Sequence, residues 1–190
     1  MLSLSNYFIK EHVSFMKLLD TYEIIDPGSG NKIGYARENI NIVLKLLRFF
    51  IGNFKMFMPT RVDITNINDA ILFSIKKNCF FKVSVLDQNG NLIGYFARKK
   101  ISFKVFFDIF NGNGGKIATV KGDWKGWNFK IIGENDQEIG SVTKKWAGIG
   151  KELFTTADNY MISINDDRPN PEKSMLLLAA GLALDIVYKE

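Results

Sequence analysis

The 190-residue chain is 46% hydrophobic and 24% charged, a balance that fits a single globular domain over 1–190 and excludes a disordered or integral-membrane chain. A net charge of +5 and a pI near 9.2 suit anionic partners, phospholipid headgroups or nucleic acid, without choosing between them. One cysteine, Cys79, excludes an intrachain disulfide framework, and with a single histidine, His12, no Cys/His set exists for zinc.

The first residues, Met1 to Asn6, lack a basic region followed by an apolar stretch, so no secretory signal is read and a cytoplasmic location is expected. Tyr7 to Phe15 alternates as a strand does. One unit then recurs: an alternating strand, a turn of Asp, Asn and Gly, and a second strand. It runs from Tyr22 to Gly34, in degenerate form from Val62 to Phe73, then from Val83 to Gly94, Phe107 to Ala118 and Phe129 to Gly140. The turn residues tolerate the positive φ that tight hairpins need. Five hairpins, the opening stretch and Tyr160 to Ile164 predict about twelve antiparallel strands, too many for a comfortable open sheet. The expected fold is mainly β, a closed antiparallel barrel without exposed edges.

Two segments depart from the hairpin rhythm. Between Asn39 and Phe57 the polar positions Asn41, Lys45, Arg48, Gly52 and Lys55 advance by four, three, four and three, which predicts an amphipathic helix with three cations on one face. Its opposite face is broad and Phe-rich, the composition of a helix lying in a membrane interface; the alternative is a helix packed on the barrel wall. The second segment, Met175 to Tyr188, is apolar all round and rich in helix formers. Its fourteen residues rise only about 21 Å, short of a bilayer core, and Asp185 lies within it. It is therefore expected to fill the barrel.

Cations recur where the second strand of a hairpin ends: Lys76 and Lys77, then Arg98, Lys99 and Lys100, then Lys144 and Lys145. Gathered on one rim they would form a patch for phosphate headgroups; dispersed, they would be solvated strand ends that discourage aggregation. Catalytic signatures are absent: no Walker loop, Gly-x-Ser-x-Gly elbow or dinucleotide fingerprint occurs, and His12 has no Cys or Ser motif beside it. Trp124, Trp127 and Trp146 are expected to pack on or within the barrel.

The order of three motifs in the second half carries a resemblance. These are Gly122-Asp-Trp124-Lys-Gly-Trp127-Asn-Phe129, Ile139-Gly-Ser-Val-Thr-Lys144-Lys-Trp146 and Glu152-Leu-Phe154-Thr-Thr-Ala-Asp158-Asn-Tyr160, followed by the apolar terminal helix. With Tyr22-Glu-Ile-Ile-Asp26 and Met58-Pro59-Thr-Arg-Val62 upstream, the chain resembles bacterial-type members of the phospholipid scramblase and LURP-one-related superfamily, which share the tubby-like fold. The resemblance implies twelve strands around a central C-terminal helix. It also implies a calcium loop before that helix, where Asp158 and Asp167 match the pattern but Thr156 replaces the first acidic ligand. A strand followed by an acidic turn is the alternative there, and no cofactor is expected.

The resulting expectation is a non-enzymatic lipid-interacting or adaptor module, peripheral on the inner membrane face. Its headgroup contacts would be Lys45, Arg48, Lys55, Lys76, Lys77, Arg98, Lys99, Lys100, Lys144 and Lys145. The alternatives are phospholipid scrambling and a soluble scaffold for a protein or small apolar ligand. Nucleic acid has charge in its favour and no recognition motif.

Overall fold

Four of the five tight turns begin with an Asp or Asn whose side chain satisfies the backbone of the turn it opens; in the fifth, after β10, Gln137 Oε1 accepts from the Asn135 N–H instead. Asp87 Oδ1 accepts from the backbone N–H of Asn89 and Asn91, both at 2.8 Å, and Asn111 Oδ1 accepts from Asn113 and Gly115 at 3.1 and 2.8 Å. Asn66 does the same for Asn68 and Ala70, which explains why the degenerate hairpin still folds. Three residues on, the chain turns through positive φ at Asp69, Gly90, Gly114 and Asp136, the left-handed step that lets a right-twisted pair of strands close.

A computed structural model describes residues 1–11, 21–39, 41, 59–78, 82–97, 105–123, 127–144, 159–165 and 170–186. Twelve strands form a closed antiparallel barrel in which each strand pairs with its neighbours in sequence and β1 closes on β12. They are β1 Asn6–Glu11, β2 Thr21–Ile25, β3 Lys32–Glu38, β4 Thr60–Asn66, β5 Ile71–Lys77 and β6 Val83–Asp87. The remainder are β7 Leu92–Ala97, β8 Val105–Asn111, β9 Lys116–Asp123, β10 Asn128–Gly133, β11 Glu138–Thr143 and β12 Tyr160–Ile164. Helix α1, Pro171–Ile186, runs inside. The barrel and its central helix are as expected, whereas the amphipathic helix expected between Asn39 and Phe57 falls, but for Asn39 and Asn41, outside the described residues.

The helix begins four residues before the apolar run that predicted it. Asn170 Oδ1 accepts from the Glu172 N–H at 3.0 Å as an N-cap, and Pro171 occupies the first helical position, where a missing N–H costs nothing. From Leu176 to Asp185 every α1 residue is buried, including five leucines at 2% exposure or less. Each such leucine contributes about 2 kcal/mol relative to an exposed one. Strand residues facing the helix, among them Ile64, Phe73, Val85, Phe96, Phe107, Val120, Phe129 and Ile162, are equally buried and form one core with it.

Up-and-down connectivity sorts the connections onto two rims. The four Asx-type turns, after β2, β4, β6 and β8, and the turn after β10, which opens on Gly133, lie at one end. At the other end β1, β3, β5, β7, β9 and β11 finish, and the chain leaves by its longer connections. Helix α1 runs from the turn rim to the long-connection rim. Its Leu176 packs on Gly94 near the start of β7, Gly181 lies against Ile162, and Asp185 reaches the neighbourhood of Tyr160 at the start of β12. The Tyr160 hydroxyl is fully buried and has no hydrogen-bond partner among the described residues.

Two glycines set how closely helix and wall approach. A Cβ at Gly94 would collide with the Phe110 carbonyl oxygen and stand 2.7 Å from Leu176 Cδ2, and one at Gly181 would stand 2.5 Å from Ile162 Cδ1. Gly94→Ala is expected to lower stability by about 2 kcal/mol or more and Gly181→Ala by about 1–3 kcal/mol, read as lower urea midpoints with unchanged slope. A midpoint unchanged in both variants would refute this packing.

Burial raises the Tyr7 hydroxyl to about 12, against a smaller lowering by Leu4; burial, then the negative fields of Asp185 and Glu11, hold Tyr160 well above its ordinary value of 10.0. Above pH 10 the unfolded chain therefore binds fewer protons than the folded one, so stability present below pH 10 falls as pH rises through these folded values. Tyr160→Phe is expected to flatten that alkaline loss while changing neutral-pH stability by no more than about 1 kcal/mol, since the removed hydroxyl is unpartnered among the described residues. An alkaline profile identical to wild type would exclude Tyr160 as a contributor.

Candidate functional site

Strand alternation divides adjacent residues between the lumen and the outer wall, and this splits the Lys76-Lys77 doublet. Lys76 points outward and is exposed, whereas Lys77 follows Phe73 and Ile75 inward and is 1% exposed. Lys77 therefore faces the barrel interior and offers no surface to a headgroup. Lys144 sits just past β11, with its ammonium 4.5 Å from the centre of the Trp127 ring and its backbone N–H donating to the Trp127 carbonyl at 3.2 Å. Trp127 packs on the core beside Phe129 and Tyr160, with ring centres 5.6 and 5.2 Å away.

The strands β5, β7 and β11 that lead into the three cation clusters all end on the long-connection rim. Lys45, Arg48, Lys55, Arg98, Lys99, Lys100 and Lys145 lie outside the described residues, as do Trp124, Trp146, His12, Cys79 and the calcium-loop candidates Asp158 and Asp167. The strands that flank Lys45, Arg48 and Lys55 nevertheless meet this rim, since β3 finishes there at Glu38 and β4 starts there at Thr60. Among the described residues, no group of three or more His, Cys, Asp or Glu side chains is placed to hold a metal ion.

Further cations join the rim that no sequence cluster announces. Lys82, exposed just before β6, lies 4.7 Å above the centre of the Tyr95 ring. Arg61 stands directly opposite Lys76 across the β4–β5 pair, both outward and exposed. Arg61 Nε donates to Asp63 Oδ1 at 2.7 Å and its Nη2 to Ser74 Oγ at 3.1 Å. Burial pushes the Asp63 carboxyl up, but donors from Asn39, Arg61 and Ser74 together hold it below the ordinary range. That network fixes Arg61 and leaves Lys76 as the uncompensated member of the opposed pair. Only register reveals such pairs, and a period-two scan for outward cations on successive strands is the signal that could have found them.

Exposure also separates the two signs of charge at this end. Among the described residues, Lys76 and Lys82 are exposed, while Glu38, Asp63 and Asp185 are 7%, 7% and 2% exposed; Glu11 is half-buried and Asp123 exposed. The surface presented is thus a set of cations and aromatic rings over a wall whose carboxyl groups are mostly withdrawn. Such a surface can bind phosphate groups and has no arranged nucleophile or acid–base pair among the described residues. No helix among them is long and apolar enough to cross a membrane.

Two proteins named for the phospholipid scramblase family are similar to this chain. A protein of Schizosaccharomyces pombe named as a phospholipid scramblase family protein is 21% identical over 212 aligned positions, covering 100% of this chain and 55% of its own length. Human phospholipid scramblase family member 5 is 28% identical over 108 positions, covering 53% of this chain and 40% of its own length. The chain thus spans about half the length, or less, of these relatives. A solved Arabidopsis thaliana protein superposes with a TM-score of 0.54 at 13% identity, covering 95% of this chain and 91% of the other, a likeness of fold alone. The description of the Scramblase family matches residues 3–190, and on that match the chain belongs to the Scramblase family.

Proposed function

We propose that the protein is a phospholipid-interacting module that meets a membrane surface with its long-connection rim and performs no covalent catalysis. The observation that carries this is the gathering of cation-bearing strand ends on one rim, where the nearby carboxyl groups Glu38, Asp63 and Asp185 are buried. Each Lys or Arg held near an anionic leaflet contributes about 1 kcal/mol. The contacts proposed are Lys45, Arg48, Lys55, Lys76, Arg98, Lys99, Lys100, Lys144 and Lys145, joined by Lys82. Lys77 is withdrawn from the set by its burial.

Surface binding fits these residues better than passage of lipid through or along the domain. The lumen is filled by α1 and the apolar strand faces, and the outer wall carries Lys10, Arg61, Lys76, Lys121 and Lys130, which is the reverse of a lipid-facing apolar band. Scrambling, the activity in the relatives' names, is the rival outcome. Lipid flip in vesicles reconstituted with the purified chain would favour it.

In flotation with phosphatidylserine-containing vesicles, the wild-type chain is expected in the lipid fraction at low salt and to be released as salt screens the contact. The triple variant Lys45→Glu, Arg48→Glu, Lys55→Glu and the double variant Lys76→Glu, Lys82→Glu are each expected to partition on the order of tenfold to a hundredfold less well. Equal recovery of both variants and wild type would overturn the proposed contact.

A further inference from the structure

A cleft of ≈ 470 Å³ opens on the outer wall over β9, β10 and the β10–β11 turn, lined by Lys116, Thr119, Lys121, Ile132, Glu134 and Asp136 among others. Its charges are not equivalent. Lys116 is neutralised by Asp108 at 2.7 Å, and the same carboxylate accepts from Thr119 Oγ1 at 2.7 Å. Lys121, Glu134 and Asp136 have no such ion pair among the described residues and are exposed. The cleft therefore has one free cation on its strand side and two free carboxylates on its turn side.

Register supplies a second observation. Lys121 stands directly opposite Lys130 across the β9–β10 pair, and both point outward. Like charges so placed repel, and Glu138 at 2.8 Å from Lys130 relieves only one of the two. An anion at Lys121 would relieve the other. Ala118 pairs with Gly133 at the level of the turn, so Lys121 lies three residues, about 10 Å, further along the wall, a span that its own side chain shortens. Between the charged ends, Ile132 gives an apolar floor.

We propose that this cleft binds a small zwitterion carrying a phosphate and an amine joined by a short carbon linker, of the phosphoethanolamine type. The phosphate is held by Lys121 beside Lys130, the linker lies on Ile132, and the ammonium faces Glu134 and Asp136. The cleft runs along the outer wall from the β10–β11 turn to Lys121, two residues short of the end of β9, and none of its lining residues is among the membrane contacts proposed above. A free metabolite and a lipid headgroup share this chemistry.

Calorimetric titration of the purified chain with phosphoethanolamine, inorganic phosphate and ethanolamine tests it without altering the protein. Phosphoethanolamine is expected to bind with a dissociation constant at or below about 1 mM, and each fragment at least about tenfold more weakly. Lys121→Glu is expected to weaken both phosphoethanolamine and phosphate by about tenfold or more; Glu134→Gln with Asp136→Asn is expected to weaken phosphoethanolamine alone. Equal binding of all three compounds, no binding near 1 mM, or indifference to Lys121→Glu would each overturn the proposal. Vesicles of phosphatidylcholine with and without phosphatidylethanolamine separate the sources. Phosphatidylethanolamine-dependent flotation competed by phosphoethanolamine assigns the headgroup, and soluble binding without it assigns the free compound.

Discussion

The structure depends on enclosing one helix that has no polar face. Ten consecutive α1 residues, Leu176 to Asp185, are buried, so no single sheet packed on one side could cover them. A closed barrel can, and closure also removes the strand edges that twelve short antiparallel strands would otherwise expose. Small residues make the fit feasible. Gly94 on the wall and Ala179, Ala180, Gly181 and Ala183 on the helix allow close approach where a larger side chain would push the wall outward.

Closure with up-and-down connectivity has a consequence beyond stability, because it separates the work of the two rims. One rim is made mostly of short Asx turns whose side chains are occupied in holding the turn: Asp26 accepts from the Ser29 hydroxyl and the Gly28 N–H, Asp87 from the Asn91 side-chain amide and the Asn89 and Asn91 N–H groups, and these bonds hold both carboxyls below the ordinary range. Such residues are committed to folding. The other rim receives the longer connections, and its exposed lysines are not required by any turn. Fold and recognition therefore draw on different ends of the same strands.

Much of this architecture is legible in the chain, and the limits are physical. The recurring turns of Asp, Asn and Gly between alternating strands announce the hairpins at Asp87 and Asn111, and the structure adds the reason: a side-chain cap with a left-handed Gly three residues on. The all-round apolar terminal run announced a buried helix, although its start was set by Asn170 and Pro171, which read as loop when hydropathy alone is followed. The candidate site was less legible. A doublet such as Lys76-Lys77 looks like one patch in sequence, but alternation sends one lysine to each side of the wall. Arg61 with Lys76, and Lys121 with Lys130, lie 15 and 9 positions apart and meet only through hairpin register, which depends on where each bulge falls.

One constraint remains on the helix itself. The close fits of Gly181 on Ile162 and of Leu176 on Gly94 already disfavour sliding by a turn. Asp185 adds a polar constraint to that packing. It is 2% exposed at the end of the lumen where Lys77 and Glu38 are also inward and buried, while the stretch from Leu176 to Leu184 meets Ile, Val and Phe side chains. Sliding α1 toward the turn rim, or inverting it, would carry a carboxyl group among those apolar side chains at a cost of several kcal/mol. The polar end of the core thus acts with the glycine fits to fix the register of the helix, and with it the delivery of its C-terminal end to the long-connection rim.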